Sequence, residues 1–224
     1  MARDAMLLHG LFCGMSDEEA DALFAEGMAL AEHLPVPTAR IQLLNRMVAR
    51  KNLTGRPDEA LAAESCRRAE ETGDPFLDFM THMSMAMTML NVGRLADAIA
   101  GFERCEAVCA GDPDYGSGIT GFNIHGLLLS GHALCLVYQG RPTGALRLVE
   151  RAVEVARERC DHEIAGVASG SGLIACEMLG DAPGALAYGR ESMRSVEAGA
   201  DGLRQFALTT LGRAHLMQGE WEIA

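Results

Sequence analysis

Residues 116–121, GSGITG, match G-x-G-x-x-G, the glycine pattern with which dinucleotide-binding proteins hold a pyrophosphate. That chemistry needs a strand before the loop, a helix after it and an acidic residue about 20 positions further on. The preceding residues, LADAIAGFERCEAVCA, predict a helix instead, and no Asp or Glu occurs between Phe122 and Val149. We therefore predict no nucleotide site here and interpret residues 110–122 as a glycine-rich insert between two helical hairpins.

The histidines and cysteines, seven of each, are the other residues whose chemistry could build a site. Cys105 and Cys109 are spaced to share a helix face, but no CxxC pair and no histidine at ligand spacing accompanies them. His125 and His132 are seven positions apart and lack a third ligand, and the repeat described below predicts packing roles for most histidines. No Ser/His/Asp or Cys/His arrangement emerges from the spacing, so we predict no catalytic residue, no metal and no cofactor.

Composition predicts that helices carry all of these residues. Apolar residues make up 49% of the 224 positions but aromatic residues only 5%, and the apolar content comes from the helix formers Ala, Leu and Met. The net charge of −12, with dispersed basic residues, argues against a nucleic-acid partner. Residues 122–139 have the length of a membrane span, but their histidines and glycines favour a buried helix of a soluble stack. The odd number of cysteines is typical of a reduced compartment, so we predict a cytoplasmic protein without membrane contact.

Five segments repeat one pattern, a glycine followed five residues later by an alanine. They are TGRPDEAL (54–61), VGRLADAI (92–99), QGRPTGAL (139–146), LGDAPGAL (179–186) and QGEWEIA (218–224). Successive glycines are 38, 47, 40 and 39 residues apart, and helical periodicity precedes each of them. Glycine ends a helix in the left-handed conformation, and a proline near the following turn starts the next helix. Each unit is therefore predicted to be a helical hairpin, and stacking of hairpins buries a continuous core.

The pattern resembles tetratricopeptide repeats, whose turn glycine and following alanine have the same offset. The resemblance implies an all-α, right-handed superhelical solenoid of antiparallel helix pairs. That family also places small residues seven before and twelve after the turn glycine, and Val48, Leu173 and Arg67 depart from this rule. We predict divergent repeats at 37–74, 75–118, 119–161 and 162–201, with the glycine-rich insert 110–122 at the end of the second, and a truncated repeat at 202–224.

The two ends of the chain are predicted from their local patterns. Residues 1–36 are expected to form an N-terminal helical hairpin, with Ser16 and Glu19 as the capping box of its second helix. The last residues, GEWEIA, enter a new helix that stops after a few positions. We expect from this that the sequence is a fragment, or a prematurely ended copy, of a longer repeat array.

A closer resemblance rests on three runs, ETGDPFLDFMTHMSMAMTMLNVGRLADAIAGFERC, GDPDYGSGITGF and YQGRPTGALRLVERAVEVARERCDHEIAG. Together these runs are similar to the helical-repeat region of large bacterial signalling proteins that also carry a class III adenylate/guanylate cyclase domain and a STAND-type AAA ATPase domain. The resemblance covers about residues 37–224 and implies a regulatory module in contact with those domains, with catalysis elsewhere. The only lysine, Lys51, lacks the glycines of a phosphate-binding loop, so the chain is not expected to be an enzyme.

In tetratricopeptide repeats, positions 13, 10, 6 and 3 before the turn glycine line the concave surface. Here they form a groove that is polar at the N-terminal end and methionine-rich in the middle. The candidate partner-binding residues are Asn45, Met80, Met83, Met87, Leu90, Leu134 and Val137. A methionine-rich groove suits an amphipathic helix or an apolar peptide, which predicts a protein-interaction module. Two alternatives remain: the groove is filled by its own chain, or the surface or the insert senses a small-molecule effector.

Overall fold

In the computed structural model, residues 7, 15–34, 37–109, 112, 114–116 and 123–222 are described. Within these ranges the chain forms ten α-helices and no strand, which confirms the predicted all-α class. The helices are α1 (Asp17–Ala31), α2 (Thr38–Leu53), α3 (Glu59–Thr72), α4 (Pro75–Asn91), α5 (Leu95–Cys109), α6 (Ile124–Tyr138), α7 (Pro142–Glu158), α8 (His162–Leu179), α9 (Ala182–Glu197) and α10 (Arg204–Gln218). A short 3₁₀ turn, Asp201–Leu203, precedes α10. The chain divides into two compact units, residues 1–101 and 102–224, which are treated separately below.

The predicted turn glycines take the left-handed conformation in all five segments. Their φ angles lie between 70° and 82°, at Gly55, Gly93, Gly140, Gly180 and Gly219. A Cβ atom at any of the five would meet open space, so backbone conformation rather than crowding favours glycine there. Each glycine follows a first helix (α2, α4, α6, α8 and α10), and the first four also precede a second helix (α3, α5, α7 and α9).

The alanine five residues after the glycine is fully buried at Ala98, Ala145 and Ala185, as predicted. The first repeat differs, because Ala60 is exposed and Ala62 is buried in its place. Helices α5, α7 and α9 begin two residues after their glycines, whereas α3 begins four residues after Gly55. The extra two residues follow from Asp58, whose side chain accepts a hydrogen bond from the Leu61 amide and so caps α3.

The same two-residue shift explains one departure from the tetratricopeptide rule. Counting twelve residues from Gly55 gives Arg67, but counting fourteen gives Ala69, which is fully buried. Its counterparts Cys105, Ala152 and Ser192 are also buried. The rule for the position after the turn glycine therefore holds in this repeat once the helix start is known, whereas Val48 before the glycine still departs from it.

In the first unit, Arg50 fixes α1 against α2. Its buried guanidinium donates to the backbone carbonyls of Met15 and Ser16 at 2.7 and 3.3 Å. These carbonyls lie at the start of α1, where the predicted capping box of Ser16 and Glu19 is present. Most of the predicted first helix of the 1–36 hairpin lies outside the described residues, apart from Leu7, which packs into the core beside α1 and α2.

In the second unit, small residues let neighbouring helices approach closely. A Cβ added at Gly172 would lie 2.7 Å from the Tyr188 ring, so α8 and α9 pack with no room for a side chain at that point. Buried hydroxyls of Ser130 and Ser171, 2.9 Å apart, join α6 to α8. Among the described residues no helix combines the length and the apolarity that crossing a bilayer requires.

Candidate functional site

The predicted groove residues of the first unit separate into two classes. Met80 and Met87 on α4 are half-buried, so part of each side chain meets solvent. Met83 and Leu90 on the same helix are buried, as is Asn45 on α2. Positions 13 and 6 before the turn glycine are therefore accessible, whereas positions 10 and 3 contribute to packing.

The second unit repeats this division. Leu134, six before Gly140, is half-buried, and Val137, three before it, is fully buried. Four half-buried apolar residues occupy the accessible positions of α6 and α8, and we call them, with Met80 and Met87, the first-helix stripe. The four are Leu127, Leu134, Val167 and Ile174. On α10 the same two positions carry Phe206, whose ring rests against Gly170, and Arg213, which is ion-paired with Glu177.

The polar end of the predicted groove is an internal network rather than an open surface. The side-chain amide of Asn52 donates to the Ser84 carbonyl at 3.2 Å, and its oxygen accepts from the Thr88 hydroxyl at 3.1 Å. All three residues are buried, and the network ties α2 to α4. Asn45 is buried as well, and its side-chain oxygen has no hydrogen-bond partner within the described residues. The sequence marked these positions as polar but gave no sign that they pair with α4.

A cleft of about 540 Å³ lies at the turn between α7 and α8, and its lining includes Asp114 of the insert that one alternative names as an effector sensor. Its lining includes Cys160, whose φ of 53° makes it the one non-glycine residue with positive φ among those described. The Arg159 guanidinium forms a bidentate ion pair with the Asp114 carboxylate. The backbone amide of Asn123 donates to the Asp161 carboxylate. The sequence signal was that no glycine follows α7. Cys160 takes the left-handed conformation that ends the helix instead.

Of the insert 110–122, only residues 112 and 114–116 are described. The rest of GSGITG lies outside the described residues, including Gly118. The interpretation of the insert as a joint between hairpins therefore stays a prediction.

Burial shifts the pKa values of several histidines and cysteines described in the second unit. It lowers the pKa of His125 and of His132, because the protonated imidazole is disfavoured away from water, and His132 stacks on Phe102 with ring centres 6.3 Å apart. Burial also raises the pKa of the Cys135 thiol to about 12 and that of Cys176 to about 11. A thiol with so high a pKa is a poor nucleophile at neutral pH. None of the six described cysteines is in a disulfide.

Three side chains in the first unit could ligate a cation, and the sequence did not reveal them. Glu70 on α3 and Asp78 and His82 on α4 place one potential ligand atom each within 4.8 Å of one another. His82 Nδ1 lies 2.8 Å from the Asp78 carbonyl oxygen, and Nε2 lies 3.5 Å from a Glu70 carboxylate oxygen. A carbonyl only accepts, so Nδ1 donates to it, which leaves Nε2 facing Glu70 across the two helices.

Comparison with known proteins bears on the fold. No family profile matches the sequence, and neither does any curated protein. Among solved structures, BtubC (BKLC) from P. vanneervenii matches 90% of this chain and 82% of its own, with a TM-score of 0.65 and 16% identity. Two structures of a Podosopora anserina putative kinesin light chain with nearly identical TPR-like repeats match 100% and 98% of this chain and 96% and 94% of theirs. Their TM-scores are 0.55 and 0.54, at 15% and 16% identity.

These similarities support TPR-like helical repeats, as the sequence pattern predicted. At such low identity they describe the fold alone. They do not bear on the predicted association with cyclase and ATPase domains.

Proposed function

We propose that this chain is a non-catalytic protein-interaction module that binds amphipathic protein segments at the stripe residues of its two units, each unit taken separately. The observation that carries the proposal is recurrence: the same two helix positions hold half-exposed apolar residues on α4, α6 and α8. In the second unit these residues stand on helices that are in contact, α6 and α8, and partly exposed apolar residues that form one patch are typical of a binding surface. Methionine and leucine side chains adapt to different partners, which suits helix-in-groove recognition.

In the second unit, the contact between α6 and α8 sets the distance between the apolar residues of the stripe. Helices α6 and α8 are in contact along the hydroxyl pair of Ser130 and Ser171, so Leu134 and Ile174 lie on adjacent helices. Adjacent packed helices are about 8–10 Å apart. Seven residues of an α-helix span about 10.5 Å, so apolar residues at i and i+7 of a ligand match two neighbouring first helices.

Selection of helical peptides from a displayed library against the purified chain tests the proposal. Binders to the wild type are expected to lose at least tenfold in affinity with Ile174→Asp or with Met87→Asp, whichever unit they contact. Both residues are half-exposed, so aspartate is compatible with folding, whereas aspartate at the buried Met83 would disturb the core. Ala187→Asp and Ala100→Asp on the exposed faces of second helices are the matched controls. The proposal would be contradicted by peptides that compete with one another for one site on the chain and whose affinity neither stripe variant changes.

A second candidate function is effector sensing, and the cleft beside Cys160 favours it. The cleft has the volume of a small-molecule site, and its charged lining suits a polar ligand. Thermal-shift screening against metabolites separates the two functions. A hit that is lost with His162→Ala and unaffected by Ile174→Asp would favour sensing.

The finer role proposed here is that of the regulatory repeat region of a cyclase/ATPase-type signalling protein in the bacterial cytoplasm. It is supported by the sequence runs that resemble such proteins and by the absence of disulfides among the described cysteines. Mixing the chain with a purified class III cyclase domain and measuring cyclic-nucleotide formation tests the role. A rate that is the same with and without the chain would argue against it.

A further inference from the structure

Three side chains with metal-ligand chemistry meet where α3 ends and α4 begins, within the first unit. Glu70 lies in the last turn of α3, Asp78 in the first turn of α4, and His82 one helical turn further along α4. Each offers one potential ligand atom, and these atoms lie within 4.8 Å of one another. Imidazole nitrogens and carboxylate oxygens are common ligands of divalent transition-metal ions. Two helices thus contribute the donor set of a metal site.

The His82 imidazole is held in the orientation that a ligand needs. Its side chain is only 15% exposed, and Nδ1 donates to the Asp78 carbonyl at 2.8 Å, which leaves the lone pair on Nε2. Metal-bound histidines almost always donate their other ring N–H to a carbonyl, a carboxylate or water. Nε2 lies 3.5 Å from a Glu70 carboxylate oxygen, which is longer than an ordinary hydrogen bond. Two ligands of one tetrahedral zinc ion, each bonded at about 2.0–2.2 Å, are about 3.3–3.6 Å apart, which matches this distance.

An unpartnered carboxylate oxygen is a second, independent observation at the same place. Oδ1 of Asp78 is buried and has no hydrogen-bond partner within the described residues. His82 Nδ1 lies 3.1 Å away, but its proton is donated to the closer carbonyl. In the described part of the chain, neither Glu70 nor Asp78 is ion-paired with an arginine or lysine, whereas Glu64 and Glu71 of α3 are paired with arginines. A buried carboxylate oxygen without a donor is costly, and a bound cation removes that cost.

We propose that Glu70, Asp78 and His82 bind a divalent transition-metal ion such as Zn²⁺, whose usual ligands include both imidazole and carboxylate. Ca²⁺ and Mg²⁺ prefer oxygen ligands, so the imidazole selects against them. Three protein ligands leave a fourth position, which water fills. Residue spacing alone predicted no metal, because the ligands come from two helices and their spacing matches no common motif.

The bound ion joins two successive repeats. Its ligands lie on either side of the turn at Gly73 and Asp74, so one ion cross-links the second helix of the first repeat to the first helix of the next. A ligand that binds only the folded chain stabilises it. The stripe residues Met80 and Met87 are not among the ligands, so this inference does not rest on the function proposed above.

Titration of the full chain with Zn²⁺ after removal of metals with a chelator tests the site. Calorimetry is expected to give saturable binding of one ion per chain. A Zn²⁺ concentration a hundredfold above the Kd is expected to raise the melting temperature by about 5–11 °C. The visible spectrum of the Co²⁺-loaded chain is expected to lack the thiolate charge-transfer band, because no ligand is a cysteine. Cys160→Ser serves as the background, since it removes the exposed thiol as a competing ligand.

Two neighbouring glutamates provide a matched pair of variants. Glu70→Gln is expected to weaken Zn²⁺ binding at least tenfold, because it removes a charged ligand. Glu71→Gln, at the next residue of α3, is expected to leave the Kd unchanged. Both side chains are about equally exposed, at 61% and 62%, so both variants should fold alike. His82→Gln is expected to weaken binding as well, and circular dichroism shows whether this less exposed position keeps its helices.

Three outcomes would overturn the assignment. Wild-type affinity in Glu70→Gln, or equal losses in both glutamate variants, would show that the ion binds elsewhere. A thiolate band in the Co²⁺ spectrum, or equally tight binding of Ca²⁺ or Mg²⁺, would contradict the ligand set. An absence of saturable Zn²⁺ binding at submillimolar concentration would mean that His82 pairs with the carboxylates without a metal.

Discussion

Replacing Ala62 by leucine tests the two-residue offset of the first turn directly. Ala62 is 1% exposed, so three added carbons must displace packed neighbours, whereas Ala60 is exposed on the same helix. Overpacking of a filled core costs about 1–3 kcal/mol, while an exposed alanine-to-leucine change on a helix stays within about 0.5 kcal/mol. For a chain of this size each kcal/mol lowers the melting temperature by about 2–4 °C. We expect a fall of about 2–12 °C for Ala62→Leu and little change for Ala60→Leu.

Far-UV circular dichroism during heating gives the melting temperature of both variants. Alanine and leucine are both strong helix formers, so a difference between the two variants reports burial and not helix propensity. The reasoning is refuted if Ala60→Leu destabilises the chain as much as Ala62→Leu does. Ala69→Leu and Arg67→Leu repeat the comparison further along α3. Only Ala69 is buried, so only Ala69→Leu should lower the melting temperature. Agreement between the two pairs would place the start of α3 four residues after Gly55 in solution.

Three further predictions concern buried or exposed polar groups. The pKa of His125 is lowered in the folded state, so protonation favours the unfolded chain. The free energy of unfolding should therefore fall as the pH drops through and below 6.5. In urea titrations at several pH values, His125→Leu should flatten that fall. Arg50→Met should weaken the docking of α1 by about 1–3 kcal/mol, seen as faster amide hydrogen exchange in residues 17–31. Cys160 should react with a disulfide reagent before any other described cysteine, because the other five are buried, and Cys160→Ser should remove that fast phase.

Each of these predictions has a result that counts against it. A pH profile that keeps its slope in His125→Leu would mean that other groups cause the acid loss, among them His132, whose pKa burial also lowers. Unchanged exchange in α1 after Arg50→Met would show that its apolar contacts suffice. A fast thiol phase that survives in Cys160→Ser would locate the reactive cysteine elsewhere.

The helical repeat was predictable because its signals are local. A glycine in the left-handed conformation and a buried alanine at a fixed offset leave traces in the sequence, and Gly140 with Ala145 shows both. The start of α3 was not predictable by the same count. Whether Pro57 or Glu59 begins the helix depends on the competition between a proline at the first position and the Asp58 cap, and the cap prevails.

The accessible part of the candidate site was only partly predictable. The repeat frame selected Met87 and Val137 on equal terms, yet the first is half-buried and the second fully buried. The difference depends on how closely neighbouring helices approach, which is set by small residues on other helices. The insert was named as a candidate effector sensor, but the turn at Cys160 on the other side of the cleft was missed, because no common helix-ending residue marks it.

The glycine turns have a consequence for how such chains vary in length. A Cβ at any of the five would meet nothing within 4 Å, and the first turn already accommodates two more residues than the others while its helices still pair. Added sequence at these points extends into solvent and leaves the packed faces in place. The turns are therefore natural junctions for grafted epitopes, reporter peptides or the recombination of hairpins from different parents.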